Sequence, residues 1–206
     1  MIRRLATSIL VLILGLSAYG QNIVSDFVST LGGKCADFSY SYSLSGQVPL
    51  SGNGTIKLQG DSFIMKGDGL DIYCDGDSRW TIDLEAEECY IEGVDHETLD
   101  VEANPALLVG AVDKAFKFQK VKSATFNGKS VSEAVLTPNP KDGNIKEVSF
   151  FLTSAKVPVG AIITTEDGTA ITITIKNFAL TDTVDAKEFS FNTKKLSKNF
   201  IITDLR

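Results

Sequence analysis

The feature that most limits what this chain can become is a period-two alternation, cut at short intervals by Gly and Asp, that begins near residue 36. The run FSYSYSL sets Phe38, Tyr40, Tyr42 and Leu44 on one side of an extended strand and Ser39, Ser41 and Ser43 on the other. That is the pattern of an antiparallel sheet with one dry face and one wet face. Gly52 and Gly54, Gly60 with Asp61, Gly67 with Gly69, and Asp75 with Gly76 follow at hairpin spacing. Segments 36–45, 53–59, 62–67, 70–74, 79–84 and 88–93 therefore read as an up-and-down meander. Its dry face collects Ile56, Leu58, Phe63, Met65, Leu70, Ile72, Trp80, Ile82 and Ile91, and its wet face Thr55, Lys57, Gln59, Lys66, Asp71, Arg79, Thr81, Asp83 and Glu92.

Two amphipathic helices are expected beside this sheet. Residues 22–31 place Ile23, Val24, Phe27 and Leu31 on one helical face before Gly32 and Gly33 stop the turn. Asn104 and Pro105 give an N-cap and first-turn proline, followed by a stripe of Leu107, Leu108, Ala111, Val112, Ala115 and Phe116. Strands resume at 130–137, 145–153, 157–166 and 169–178, with a last pair near 187–203; Asp167-Gly168 marks the clearest hairpin. No domain linker, internal repeat or low-complexity block interrupts the pattern.

A sheet of roughly ten strands curls rather than lying flat. The expected fold is mainly β with short helices (α+β), an unclosed antiparallel β-barrel whose concave, apolar face the helices cover. Pattern alone leaves open whether the interior is filled by side chains or hollow.

Arg3 and Arg4, the apolar run from Ile9 to Leu16 and the small residues before Gln21 read as a cleavable signal peptide over 1–20, leaving a single domain at 21–206 outside the cytoplasm. The apolar run is shorter than the ~20 residues of a spanning helix, so no stable membrane insertion is expected. Removing the signal takes two of the 20 Lys and Arg and none of the 26 Asp and Glu, for a net charge of about −8 on the remainder. That balance argues against nucleic acid and anionic lipid surfaces as partners.

An exported chain can oxidise two of its three Cys. Spacing permits three pairings. In the meander Cys35 opens the first strand and Cys74 closes the fourth, at the same end of the sheet, which favours Cys35 with Cys74 over pairings to Cys89; three buried thiols are the alternative.

Little here carries chemistry. His96 is the one His, without the companions of a zinc site or a nucleophile motif for a triad. Asp68, Asp71, Asp75 and Asp77 lack calcium-loop spacing and fall where hairpins use Asp. No cofactor or metal is expected, and no catalytic residue.

With those residues placed, the chain resembles the periplasmic outer-membrane lipoprotein carrier family, the LolA-type proteins. The landmarks are GTIKL at 54–58 with Phe63 following, DGDSRWTID at 75–83 and NPALLVGAV at 104–112. Leu136 with Pro138, the Asp167-Gly168 hairpin, Asn177 and EFSF at 188–191 complete the series. The resemblance implies an apolar cavity that takes up acyl chains of a lipoprotein or related lipid, with Phe63, Met65, Ile72, Trp80, Ile82, Ile91, Leu107, Leu108, Phe150 and Ile173 as its expected lining. It further implies a monomeric periplasmic carrier that meets an inner-membrane donor and an outer-membrane acceptor transiently. A lipid- or lipoprotein-sensing module of the same fold is the alternative. Where family members place an Arg-Pro pair whose Arg fastens the lid, this chain has Gly60 and Asp61, with Lys57, Lys66 or Arg79 as candidate substitutes.

Overall fold

The computed structural model describes residues 23–45, 50–94, 107–110, 112–139 and 144–206. The expected signal at 1–20, the Asn104-Pro105 cap and His96 lie outside the described residues.

Helix α1 (23–31) leads into β1 (Lys34–Ser45), β2 (Leu50–Gln59), β3 (Ser62–Gly67), β4 (Leu70–Cys74), β5 (Ser78–Asp83) and β6 (Glu88–Gly93). The short helices α2 (Leu107–Gly110) and α3 (Val112–Ala115) precede β7 (Phe116–Phe126), β8 (Lys129–Pro138), β9 (Ile145–Leu152), β10 (Pro158–Thr165) and β11 (Ala170–Asp182). Two 3-10 turns, Ala186–Phe189 and Thr193–Lys195, lead to β12 (Ile201–Asp204). All twelve strands form one sheet in the order β12-β6-β5-β4-β3-β2-β1-β11-β10-β9-β8-β7. The β1–β11 pair welds the two meanders together, and β7 and β12 stand at opposite edges, so the sheet is not closed into a barrel.

The helix is held where the apolar stripe predicts. Phe27 is wholly buried, with its ring 5.6 Å from Phe150 and 6.1 Å from Phe178, and Lys156 ties Asp26 down at 2.6 Å. Ile23 and Val24 join the same core with Phe38, Leu58, Phe63, Leu136, Val148 and Leu152. Burying Phe27 contributes about 1.5–3 kcal/mol over leaving it in water.

Three expectations about the elements need correction. Phe116 opens β7 rather than closing a helix. A register shift between Phe118 and Lys120 moves Val121 onto the face of Phe118, which hides the alternation from a reader counting by twos. The expected closing pair of strands near 187–203 is instead two 3-10 turns and the single β12, which pairs with β6 in parallel. Its connection crosses the convex face of the sheet: Lys57 meets Glu188 at 2.6 Å, Gln59 exchanges hydrogen bonds with Val184, and the Ser190 hydroxyl donates to Asp75 at 2.8 Å.

The third correction concerns faces. Register carries the dry face from Ile56 to Met65 and then to Ile72. Ile72, however, stands opposite Thr81, and Tyr73 opposite Trp80. Directly opposed residues in an antiparallel pair share a face. Trp80 and Ile82, with their partners Ile91 and Cys89, therefore lie on the convex side, while Arg79, Thr81, Asp83 and Glu92 line the concave side. Residues 75–78 separate Cys74 from Arg79, and this even-length connection sets even-numbered residues of β4 beside odd-numbered ones of β5. The C-terminal arm covers the misplaced apolar group with Phe191, Leu196 and Phe200, and the Tyr73 and Phe191 rings stand 4.9 Å apart.

The thiols are corrected too. Cys35, Cys74 and Cys89 are all free and buried. The sheet register runs from Ala36 to Leu58, Phe63 and Cys74, so β2 and β3 lie between Cys35 and Cys74. Three inter-strand steps span roughly 14 Å, twice what a disulfide tolerates. The two cysteines share one end of the sheet, and it is the lateral distance that keeps them apart. Burial pushes all three thiols above their ordinary pKa.

Candidate functional site

Alternation in β9, β10 and β11 stacks Phe150, Ala161 and Ile173 across three neighbouring strands, and β1 adds Tyr42 to the same row. With α1 occupying one end of the concave face, the other end remains hollow. The cavity there measures about 430 Å³. Phe38, Ile56, Phe150 and Ala161 form a buried floor, Val109 of α2 reaches it from above, and Ile171, Ile173 and Ile175 form one wall. Its rim is wetter: Tyr40, Tyr42, Asp68, Leu70, Ile145 and Thr165 border it, with Leu70 more than a third exposed at 37%.

Of the residues expected to line such a hollow, Met65, Phe150 and Ile173 do so. Phe63 is one row deeper, 2% exposed and packed in the core between Leu58 and Cys74. Ile72 packs against that core without bordering the cavity. Trp80, Ile82 and Ile91 sit on the other side of the sheet, as the register requires. Leu107 and Leu108 belong to α2, and their side chains lie outside what the structure describes. Among the candidate lid fasteners, Lys57 and Lys66 occupy the convex side, where Lys66 pairs with Asp71 at 2.7 Å. Of the three, only Arg79 is on the concave side, where it pairs with Glu92 at 2.9 Å without bordering the cavity.

Residues that the sequence reading left out of the site are Tyr40, Tyr42, Ala161, Ile163, Ile171 and, above all, Asp68, which was read as a turn residue. The signal for the tyrosines was present in the alternation FSYSYSL and in the glycines that face it. Gly52 stands opposite Tyr42, and Gly54 opposite both Tyr40 and Gly67. A methyl group on Gly54 would come within 2.8 Å of the Tyr40 hydroxyl oxygen, and one on Gly52 within 2.0 Å of the Asp68 carboxylate. At Gly54 the Lys66 carbonyl oxygen, 2.2 Å from such a methyl, leaves room for hydrogen alone, while at Gly52 a side chain would push the Asp68 carboxylate aside. The bare strand forms a shelf on which the two tyrosine rings lie stacked, 6.5 Å apart at 23°.

Asp68 holds a left-handed backbone, with φ at 52°, in the β3–β4 turn. Its carboxylate accepts the Asn53 N–H at 3.3 Å. Burial, followed by the negative charge of Asp68, raises the pKa of Tyr40; burial and then the Asp68 hydrogen bond do the same for Tyr42. Both phenols therefore stay neutral well past physiological pH. The walls offer hydrocarbon and the polar groups gather at the mouth, an arrangement for holding an apolar chain with its polar end in water.

Comparison with solved structures places the fold among known relatives. An uncharacterised conserved protein from Thermus thermophilus superposes with a TM-score of 0.56 at 8% identity, covering 88% of this chain and 96% of that one. A LolA superfamily protein from Nitrosomonas europaea gives 0.49 at 11% identity, covering 84% and 97% respectively. A comparison with curated protein sequences finds no match. Residues 62–192, from the start of β3 to the 3-10 turns, match the family model described as outer membrane lipoprotein carrier protein LolA, and the chain belongs to that family.

Proposed function

We propose that this protein is a periplasmic carrier that shields an acyl chain of a lipoprotein, or of a related lipid, from water and passes it toward the outer membrane. The observation that carries the reading is the apolar cavity of about 430 Å³, floored by Phe150 and Ala161 and open at a polar rim. A dry cavity of about 150 Å³ takes one benzene, about 25 Å³ per carbon, so this one has room for roughly 17 carbons. That is a single acyl chain. Each buried methylene contributes about 0.8 kcal/mol, for roughly 13 kcal/mol over a sixteen-carbon chain before the 4–15 kcal/mol lost on association. The balance supports a reversible carrier rather than a permanent store.

No bond is made or broken in this role. Loading and release are exchanges among donor, carrier and acceptor, and their direction follows from the difference in affinity between partners. The short α2 and α3 are the elements suited to act as a lid, since Val109 of α2 touches the cavity and each helix is only four residues long. The test is transfer: the protein is loaded with a dansyl-labelled acylated lipopeptide, mixed with acceptor vesicles, and followed by fluorescence, with native mass spectrometry giving the stoichiometry. One lipopeptide per protein, moving to vesicles faster than free lipopeptide leaves its donor vesicles, is expected. Absence of a complex at micromolar concentration overturns the proposal.

A further inference from the structure

We propose that Tyr40, Tyr42 and Asp68 form a head-group subsite at the cavity mouth, selective for a cationic, ammonium-bearing end on the chain that the cavity holds. The inference rests on the acyl-binding reading above and adds the class of head group.

The cluster is built rather than incidental. Three strands contribute to it, and the glycines at 52, 54 and 67 are what allow it: a side chain at Gly52 would collide with the Asp68 carboxylate, and one at Gly67 would come within 2.3 Å of the Asn53 carbonyl oxygen. The two phenol rings, stacked on each other, border the cavity mouth, and Asp68 adds its carboxylate there. Among the described residues no lysine or arginine forms an ion pair with Asp68, although Asp26, Asp71, Asp182 and Asp204 each have one. The nearest basic side chain by sequence, Lys66, is turned to the convex face and engaged with Asp71.

An ammonium group complements what remains. Its charge satisfies the carboxylate, and a quaternary head, weakly hydrated, packs against the aromatic rings, the combination by which proteins hold quaternary ammonium ions. A carboxylate head would meet Asp68 as a like charge, on a chain that already carries a net charge of −6. A divalent metal is a poor alternative, since it requires several oxygen ligands and, among the described residues, the mouth supplies one carboxylate.

The experiment compares three twelve-carbon amphiphiles below their micelle-forming concentrations: dodecyltrimethylammonium, dodecanoate and dodecyl maltoside. Binding is read by displacement of a fluorescent naphthylamine probe from the full chain. The cationic amphiphile is expected to bind about tenfold more tightly than the carboxylate, with the maltoside between them. In Asp68→Asn the advantage of the cationic amphiphile over the carboxylate disappears, and asparagine accepts the left-handed backbone, so the turn is kept. In the unaltered protein, raising salt from low to physiological strength weakens the cationic amphiphile and leaves the maltoside alone. Equal binding of all three, or an equal loss of all three in D68N, overturns the head-group subsite while leaving the cavity intact. Failure of all three to bind overturns the acyl-binding reading itself.

Discussion

Filling the cavity floor should shorten the chain it accepts. Ala161 is 2% exposed, lies between Phe150 and Ile173 in register, and borders the hollow. In Ala161→Phe the added ring occupies about 150 Å³, the volume one benzene takes. From about 430 Å³ this leaves near 280 Å³, and capacity falls from roughly 17 carbons to roughly 11. Each methylene inside changes affinity by about 0.8 kcal/mol, close to fourfold. A hexadecyl chain should therefore lose about 4 kcal/mol, on the order of a thousandfold, while a decyl chain binds as before. The assay is titration of alkyl maltosides from octyl to hexadecyl against a bound fluorescent probe. In the original protein affinity climbs with each carbon through hexadecyl; in the variant it levels off near eleven. The ring enters empty space, so thermal stability should hold, in contrast to the 1–3 kcal/mol cost of overpacking a filled core. A variant whose affinity still rises through hexadecyl would refute the assignment of the cavity.

Other expectations follow from the same structure. Phe27→Ala should cost about 3–5 kcal/mol in urea denaturation, because the ring is wholly buried against Phe150 and Phe178; a cost under 1 kcal/mol would mean that α1 is not docked. Mass spectrometry after denaturation without reductant should find three alkylatable thiols, and a mass two daltons short would show a disulfide that the register forbids. Trp80 is the one tryptophan and lies under the C-terminal arm, so Phe191→Ala should shift its emission to the red; unchanged emission would remove the arm from that face. Although burial acts against it, hydrogen bonds from Ser78, Ser190 and Asp77 hold the Asp75 carboxyl below its ordinary pKa. A lowered carboxylate pKa stabilises the fold above the unfolded value near 4 and loses that contribution as pH falls through the folded value. Ser190→Ala should thus cost about 1–2 kcal/mol near neutral pH, with the difference from the original protein narrowing below pH about 4; a gap that is constant with pH would rule out the carboxylate as the partner.

Much of this architecture was legible because hydrophobic alternation and Gly-Asp turns are local signals. Strands β2 to β4 and β9 to β11, with the cavity residues Met65, Phe150 and Ile173, follow from local apolar patterning and turn residues, and helix α1 from its helical apolar stripe. What failed had a non-local cause. Strand β7 is broken in phase by its bulge, although Asn127-Gly128, with φ of 49° and 75°, carried a strong hairpin signal. Trp80, Ile82 and Ile91 look like their neighbours in β3 and β4, yet the side of a sheet they occupy is set by a count through the turn, and their cover comes from the far end of the chain. Asp68 shows both limits at once: its turn role is local and visible, while its place at a cavity mouth depends on β1 lying across the glycines of β2.

The arm that seals the convex face imposes an order of events on the molecule. Ser190 and Asp75 are 115 positions apart, and the greasy side of β5 and β6 has no other cover among the described residues. A chain emerging from its N-terminus must hold Trp80, Ile82 and Ile91 bare to solvent until Phe191, Leu196 and Phe200 arrive. Until then the molecule is sticky on its outer surface, and residues 191–200 are what close that side.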